Sequence, residues 1–574
     1  MASDRANLLV ARVLPDVAGI DKEFDYLVPE PLAPAVREGA MVRVNLHGRR
    51  VGGWITAYPV DPPEGVTLKP IIKVSGWGPP ADVIALARWA AHRWAGRVDA
   101  VLTSASPPTM ITRVNMRGSG APAQSGPASE FADLFAHAVT VLRMGPAGDA
   151  LPVVLSATQH GPVLVVTPSV AMARLLGARL RRGGASVALY PRDWAQVAAG
   201  VDIVVGARAA VWAPLPKLGA VVVLDEHDEA LKEERVPCWH ARDVAIERAR
   251  RASVPCVLVS PCPSLEALQA GRLITMSRND ERAAWPIVEM ADLSKGVISE
   301  ALARHIRNGD RIVGVLNRKG KARLLACAAC ATLARCERCS AAVGQDEEGN
   351  LVCRRCGTVR PAVCLACGAS RFKVLRPGLT RVRDELEALA GEPVVDVTAA
   401  NDDDVLPVAR IFVGTEAVLH RVAETDVVAF LDFDDELLAP RYRADEQALG
   451  LLARAARVVG GRTEKGRVLV QTRLDGHEVI DAALHADPGR LVLVTRARRQ
   501  ELGFPPFRAM AEISGAAAPV FIDALGAPLG LAIDGPSDGR WLARAANVDT
   551  LADALAAVPR PQGRLRIEVD PLRV

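Results

Sequence analysis

The sequence predicts a multidomain α/β protein: a β-rich N-terminal domain, two α/β lobes in tandem, a double-site cysteine module inserted between their elements, and a small α+β C-terminal domain. Three observations predict it. Short apolar runs alternate with helical segments through the middle of the chain, the pattern of parallel sheets covered on both faces. Eight of the eleven cysteines fall between Cys327 and Cys367, all in C-x2-C pairs. A Gly/Ser/Pro/Ala stretch, Gly118 to Ser129, separates the first region from the rest as a linker.

The cysteines read C-x2-C-x5-C-x2-C-x13-C-x2-C-x7-C-x2-C. A C-x2-C knuckle puts two thiolates on one tight turn, within reach of one tetrahedral zinc, so four knuckles predict two closed four-cysteine sites. A closed site has no open coordination position, which makes both zincs structural. A disulfide framework would need an oxidising compartment, and Met1 to Leu8 lacks the charged and apolar regions of a secretion signal. Sequential and nested pairing of the knuckles both satisfy the chemistry, and the short five- and seven-residue spacers favour nesting. From Asn317 to Val382 there are 13 Lys/Arg against 4 Asp/Glu, in a chain whose net charge is +4. That local excess points to a phosphate backbone as partner, the other reading being a solvated face that docks protein.

A length of 574 residues allows three to five domains. No apolar run reaches 18 residues, so the sequence predicts no membrane span and a cytoplasmic protein with reduced thiols. In chain order, Phe24 to Pro29 alternates as a strand and stops at proline, and Val42, Val44 and Leu46 alternate with Arg43 and Asn45. His47-Gly48-Arg49-Arg50 then turns the chain into Gly52 to Ala57, a hairpin suited to a barrel. Ala85 to Trp94 is helical, with Trp89 and Trp94 as packing residues. Buried parallel strands are expected at Pro162 to Pro168, Val201 to Val205, Ala220 to Leu224 and Pro255 to Ser260. A second series is expected at Arg311 to Leu316, Pro393 to Thr398, Ile411 to Val413, Val427 to Leu431 and Val468 to Thr472, with the cysteine module after the first of these strands. Leu565 to Val569 closes the chain as an edge strand stopped by Asp570-Pro571. His227 and His240 are read as packed, hydrogen-bonded residues, and Cys238, Cys256 and Cys262 as small buried hydrophobes.

Several stretches carry a family resemblance: Phe24-Asp25-Tyr26-Leu27-Val28-Pro29, Val205-Gly206-Ala207-Arg208 through Trp212-Ala213-Pro214-Leu215, His240-Ala241-Arg242-Asp243-Val244-Ala245, Leu316-Asn317-Arg318-Lys319-Gly320 before the cysteines, and Leu502-Gly503-Phe504-Pro505-Pro506-Phe507. With the tandem lobes, these make the chain resemble the PriA family of primosomal replication-restart proteins over nearly its whole length. The resemblance implies that the lobes are RecA-like and helicase-type. It implies a 3′-end DNA-binding domain over 1–117, a linker over 118–129, one lobe over 130–290, a second over 291–325 and 377–500 with the two-zinc module at 326–376 between them, and a C-terminal domain over 501–574. It also implies nested pairing: Cys327, Cys330, Cys364 and Cys367 for one zinc, Cys336, Cys339, Cys353 and Cys356 for the other. The family's winged-helix domain has no room between Pro108 and Glu130.

The departures fall on the motor chemistry. A P-loop needs a glycine-rich cradle, a Lys on the phosphates and a Ser/Thr on Mg²⁺. No intact G-x4-G-K-[ST] occurs, and the best candidate position reads Gly145-Pro146-Ala147-Gly148-Asp149-Ala150. An aspartate about 5 Å from a phosphate repels it by roughly 3 kcal/mol at an effective dielectric near 20. Losing a donor such as the Lys costs on the order of 10²–10³ in rate. Where the family has Asp-Glu-Glu-His, the strand ends Val223-Leu224-Asp225-Glu226-His227-Asp228, and Asp225 and Glu226 fill the metal and water-activating roles only after a one-residue shift of register. Ser260-Pro261-Cys262-Pro263-Ser264 replaces Ser-Ala-Thr-Pro-Ser, His420-Arg421-Val422-Ala423 replaces Lys-Gly-His-Asp, and the arginine-finger stretch is reduced to Val459-Gly460-Gly461-Arg462. Gly148, Asp149, Ala150, Asp225 and Glu226 are therefore read as a degenerate nucleotide site, and ATP·Mg²⁺ is not expected as a cofactor.

By resemblance, the N-terminal domain holds the 3′-terminal nucleotide of a nascent strand with Phe24, Asp25 and Tyr26, Gly39 allowing close approach and Lys69 near phosphate. The expected function is to bind stalled or recombined forks (D-loops) with a 3′-OH nascent strand and to nucleate replisome reassembly without helicase activity. Expected partners are primosome proteins, the replicative helicase or its loader, and single-strand-binding protein. An active ATP-dependent 3′–5′ helicase with a non-standard nucleotide site, and a zinc-module scaffold for protein partners, are the alternatives.

Overall fold

The computed structural model describes residues 9–17, 19–63, 65–116, 131–293, 298–316, 324–375, 379–397, 406–422 and 424–573. The linker expected at 118–129 and the Asn317 to Gly320 motif lie outside the described residues.

Alternation along Met41–Leu46 buries Val42, Val44 and Leu46 and builds an antiparallel sheet in the order Phe24–Leu27, Val10–Pro15, Arg49–Val60, Met41–Leu46, Lys73–Gly76. The turn that joins two of these strands places His47 and Gly48 at φ 47° and 82°, the backbone hand that matches strand twist in a two-residue hairpin. Past Arg49–Val60 the chain returns to the far edge: Leu27 N donates to Lys69 O at 2.9 Å and Ile71 N to Leu27 O at 2.9 Å, curling the sheet toward a barrel. Helices Ala81–Arg93 and Val98–Ala105 follow, and Trp94 is buried with its ring edge-on to Trp89 at 5.5 Å.

Both lobes are built on wholly parallel sheets. The first runs Arg272–Thr275, Val139–Arg143, Cys256–Ser260, Ala220–Leu224, Val163–Val166, Ile203–Gly206, Val187–Tyr190. Its central strands are fully buried apolar runs, as sheets covered on both faces require. The sequence reading missed Val139–Arg143, Val187–Tyr190 and Arg272–Thr275, which are short and in two cases carry charge. The second sheet runs Ile287–Asp292, Arg467–Thr472, Val427–Phe430, Ile312–Val315, Ile411–Gly414, Val395–Val397. Two expectations need correction here. Ile287–Asp292 pairs with Arg467–Thr472 in register, so the strand crosses the expected division at residue 290 and belongs wholly to the second sheet. The cysteine module therefore follows the second strand of that sheet in chain order. The strand escaped notice because it lies at the sheet edge, where Glu289 and Asp292 break the apolar run.

Next to Val427–Phe430, the turn Asp432 to Glu436 gathers four carboxylates, of which Asp434 pairs with Arg473 at 2.8 Å and Glu436 with Arg441 at 3.5 Å. Burial first, then Asp432, Glu436 and Asp434, push the Asp435 carboxyl up to about 7. A raised folded pKa contributes stability that is present below the unfolded value and is lost as pH rises through about 7. The melting temperature should therefore fall between pH 5.5 and 8. Asp435→Asn should remove most of that slope, worth on the order of 1–2 kcal/mol. Thermal unfolding of both proteins across this range checks it, and parallel slopes would refute it.

The C-terminal sheet is antiparallel, in the order Leu531–Ser537, Arg540–Ala545, Ala509–Ser514, Arg566–Val569, with helices Ala518–Leu525 and Val548–Ala556 packed on it. It sits against the N-terminal helices: Arg93 pairs with Asp570 at 2.9 Å and His92 with Asp553 at 3.0 Å, and one apolar cluster runs from Trp94 through Trp212 to Phe521. Among the described residues no helix is long and apolar enough to cross a membrane.

Candidate metal centre, DNA pocket and nucleotide cleft

Each C-x2-C pair sits on the same backbone device. The amide of the first cysteine donates to the carbonyl five residues on, in Cys327 to Thr332, Cys336 to Ala341, Cys353 to Thr358 and Cys364 to Ala369, all at 2.8–2.9 Å. The residue after the second cysteine donates back to the first and takes a left-handed φ: Ala331 and Ser340 at 61°, Gly357 at 75° and Gly368 at 76°. Two of these positions are glycine, and at the other two the fold accepts about 1–2 kcal/mol of backbone cost to close the knuckle.

The knuckles are nested. Cys327, Cys330, Cys364 and Cys367 form one cluster and Cys336, Cys339, Cys353 and Cys356 the other, with all ligand atoms in each within 4.8 Å of one another. Sulfur–sulfur distances are 3.6 Å for Cys327 and Cys367, 3.7 Å for Cys330 and Cys364, 3.6 Å for Cys336 and Cys356, and 3.5 Å for Cys339 and Cys353. A disulfide would need about 2.0 Å. A tetrahedron with metal–sulfur bonds near 2.3 Å has edges of about 3.8 Å, so four thiolates at these separations fit a zinc-sized ion. The outer cluster is half open, with Cys330 and Cys367 exposed, whereas Cys336, Cys339 and Cys353 are buried beside Leu325, Val343 and Leu351. Arg355, from the inner cluster's second knuckle, bolts the module to the second lobe: it is buried and donates to Cys339 O at 3.2 Å and Ala439 O at 3.0 Å.

The expected DNA-pocket residues do not converge. Period-two alternation puts Phe24 and Tyr26 on the core face and Asp25 on the other. Tyr26 is 3% exposed and its hydroxyl donates to Asn45 O at 3.3 Å, so it packs the core and cannot stack on a base. Asp25 accepts both Arg12 donors, Nε at 2.8 Å and Nη2 at 3.2 Å. Sequence reading missed Arg12 as the partner of Asp25, because it comes from the neighbouring strand opposite it. Gly39 has φ 84°, and a Cβ there would stand 2.0 Å from Pro79 O, so the glycine serves close backbone packing. Lys69 is exposed beside the end of strand Phe24–Leu27, to which its carbonyl is bonded.

Of the degenerate nucleotide residues, Gly148, Asp149, Ala150 and Asp225 come together around a cleft of about 200 Å³ also lined by Gly145 and Arg457, and Glu226 lies outside it. The loop follows strand Val139–Arg143 and precedes helix Leu151–Ala157, where a phosphate loop belongs. Asp149 pairs bidentately with Arg179 at 2.7 and 3.0 Å and caps the Leu151 amide, and the Arg179 hydrogen bonds hold its carboxyl below the usual range. Met144 fills the space above Gly148, with its Cγ 2.5 Å from where a Cβ would stand. Glu226 is wholly buried and accepts from Ser264 N at 2.7 Å, Ser264 Oγ at 2.8 Å and Arg242 at 3.4 Å. It is a structural knot without access to water, which corrects the water-activating role tried for it. Asp225, at φ 51°, gives both oxygens to Arg457 of the second lobe at 2.6 and 2.8 Å, and Arg457 also donates to Pro146 O at 3.1 Å. Burial opposes ionisation of Asp225, and Arg457 outweighs it, so the carboxyl stays below its ordinary range. His227 is hydrogen-bonded to Ser260 at 2.8 Å, His240 caps helix Ala241–Ala252, and Cys238, Cys256 and Cys262 are buried.

Sequence comparison agrees with this architecture. Residues 12–107 match the family model of the PriA 3′ DNA-binding domain. The replication restart protein PriA of Bacillus subtilis is 27% identical over 347 residues, covering 55% of this chain and 43% of that one. The probable replication restart proteins PriA of Mycobacterium tuberculosis, 28% identical over 581 residues, and Mycobacterium leprae, 27% over 627, cover 88% and 97% of this chain and 86% and 92% of their own lengths. The match thus spans less than half of the Bacillus relative and most of the mycobacterial ones. A barrel matching that family's DNA-binding model, two parallel-sheet lobes behind it and similarity along nearly the whole length of the mycobacterial proteins make the chain similar to the PriA replication-restart proteins.

Proposed function

We propose that the chain works in the cytoplasm as a DNA-fork-binding protein of replication restart, recruiting partners without unwinding DNA. The observation that carries the second half is Glu226: a carboxylate sealed by Ser264 and Arg242 cannot activate a water for attack on a phosphate. The DNA half is supported by the matched 3′ DNA-binding model and by the Arg12–Asp25 pair on neighbouring strands of the matched domain. On this reading Asp25 accepts from a terminal 3′-OH while Arg12 orients it, and a 3′-phosphate is repelled. Both cysteine clusters hold structural zinc, and the module presents a surface for the replicative helicase, its loader or single-strand-binding protein.

One preparation tests both halves. Fork DNA with a 3′-OH should bind tenfold or more tighter than the same fork ending in 3′-phosphate, a preference that Asp25→Ala abolishes; about 1.4 kcal/mol per tenfold is within reach of one charge contact. DNA-stimulated ATP turnover should be absent from the same sample. Equal binding of the two forks would remove the end-reading role, and clear turnover abolished by Glu226→Gln would restore a working motor.

A further inference from the structure

One face of the second lobe's helix Ala444–Val459 lies along the first lobe as a stripe. Residues 446, 450, 454 and 457 follow i, i+4, i+8, i+11, so they share that face. Glu446 accepts from Leu265 N at 3.1 Å. At Gly450 a Cβ would stand 3.1 Å from His227 Cδ2, so the helix rests directly on the Asp225 to Asp228 turn. Arg454 meets Asp228 at 2.6 Å and Arg457 meets Asp225 at 2.6 Å, and the two aspartates are held on one turn by Asp228 N donating to Asp225 O at 2.9 Å. A three-residue step on the helix therefore matches a three-residue step on the turn. At the other end, Arg443 meets Glu266 at 2.6 and 3.1 Å, and Arg499 meets it at 3.0 Å. Asp225 takes a left-handed backbone that directs its carboxylate to the helix, and strain of this kind persists where the surroundings impose it.

We propose that this stripe is a resident substitute for nucleotide: helix Ala444–Val459 clamps the two lobes in one closed arrangement, with the Arg457 guanidinium filling the place between Pro146 O and the Asp225 carboxylate. In motor proteins lobe closure is a response to ligand, because the ligand supplies the contacts that favour the closed state. Here the chain supplies those contacts to itself, at neutral pH and without a ligand. The lobes then form one rigid body that fixes the zinc module, the barrel and the C-terminal sheet relative to one another. The inference deepens the non-hydrolysing reading of the cleft and rests on it.

Hydrogen exchange of the full-length protein, with and without Mg·ATP, tests the clamp. Wild-type peptides covering 222–229 and 450–458 should exchange equally slowly in both conditions. In Arg454→Ala/Arg457→Ala they should exchange about tenfold faster or more, while peptides covering 41–46 and 351–360 stay unchanged. Arg457→Lys, which keeps the charge and loses the paired hydrogen bonds, should show a smaller rise at 222–229 and serves if the double variant does not fold. Protection that appears only with Mg·ATP, or variants that exchange like wild type, would overturn the clamp. ATP turnover is read separately: turnover by wild type sinks the non-hydrolysing cleft, whereas exchange alone decides whether the lobes are clamped without nucleotide.

Discussion

Cys353→Ser will lower the metal content of the purified protein from two zinc ions to one and unfold the inner half of the module. The segment has almost no other source of order. Its strands Gly344–Gln345, Leu351–Val352 and Val359–Arg360 are two residues each, and its apolar cluster is a few side chains, Leu325, Val343 and Leu351 among them, together with the cysteines themselves. Structural zinc contributes about 10–16 kcal/mol to small four-ligand modules, and no other interaction here approaches that. The damage should spread through Arg355, whose bond to Ala439 O ties the module to the loop preceding Arg441 and Arg443. Metal analysis by atomic emission reads the first effect, and protease cleavage between residues 336 and 360 the second. Two zincs retained with unchanged resistance to cleavage would show that the nested cluster is not a metal site. The outer cluster, with two exposed cysteines, should give up its metal to a chelator first.

Glu266→Ala should be the most destabilising single substitution between the lobes, by about 3–5 kcal/mol. The loss comes from what remains. Arg443 and Arg499 both point at this carboxylate, and Arg499 is 1% exposed, so its removal leaves Arg443 with no carboxylate and Arg499 with Glu446 alone, both away from water. Burial alone would favour the neutral acid, but Arg443, Arg499 and Arg242 hold Glu266 well below its ordinary range. A depressed folded pKa means the contribution is present above the unfolded value near 4.3 and is lost as pH falls below it. Replacing all three members with apolar residues of similar size should cost less than Glu266→Ala, because the one charge then left without its partner, Glu446, keeps the Leu265 amide and is partly exposed. Denaturant midpoints of the single and triple variants at pH 7 separate these outcomes. A single variant as stable as wild type would mean that water already reaches the pair.

The candidate sites were unequally legible in the sequence, for a reason visible in particular residues. The four knuckles could be read directly because each is closed within six residues by its own backbone bonds, and Gly357 and Gly368 even mark the left-handed step. The position of the degenerate loop was also legible, since a strand followed by Gly145 to Ala150 and a helix is a local pattern. Arg457 was not. It sits in the last turn of a helix, 232 residues from Asp225, and its spacing from Arg454 has meaning only once the Asp225 to Asp228 turn lies beneath it. Tyr26 failed for a different reason. An aromatic in an alternating strand fits a core and a binding pocket equally well, and only the hydrogen bond to Asn45 O and its burial decide.

The amino-acid sequence by itself determined the architecture: the alternating barrel strands, the buried apolar runs of two parallel sheets and the four cysteine pairs, all set by periods of a few residues and by side-chain chemistry that acts within a turn or a strand. The tertiary structure alone decided which carboxylates are free and which are taken. Asp25 is held by Arg12, Glu226 is sealed by Ser264 and Arg242, and Asp225 is claimed by Arg457 across the cleft. Pairing and burial depend on which distant surfaces meet, and no local period encodes that meeting.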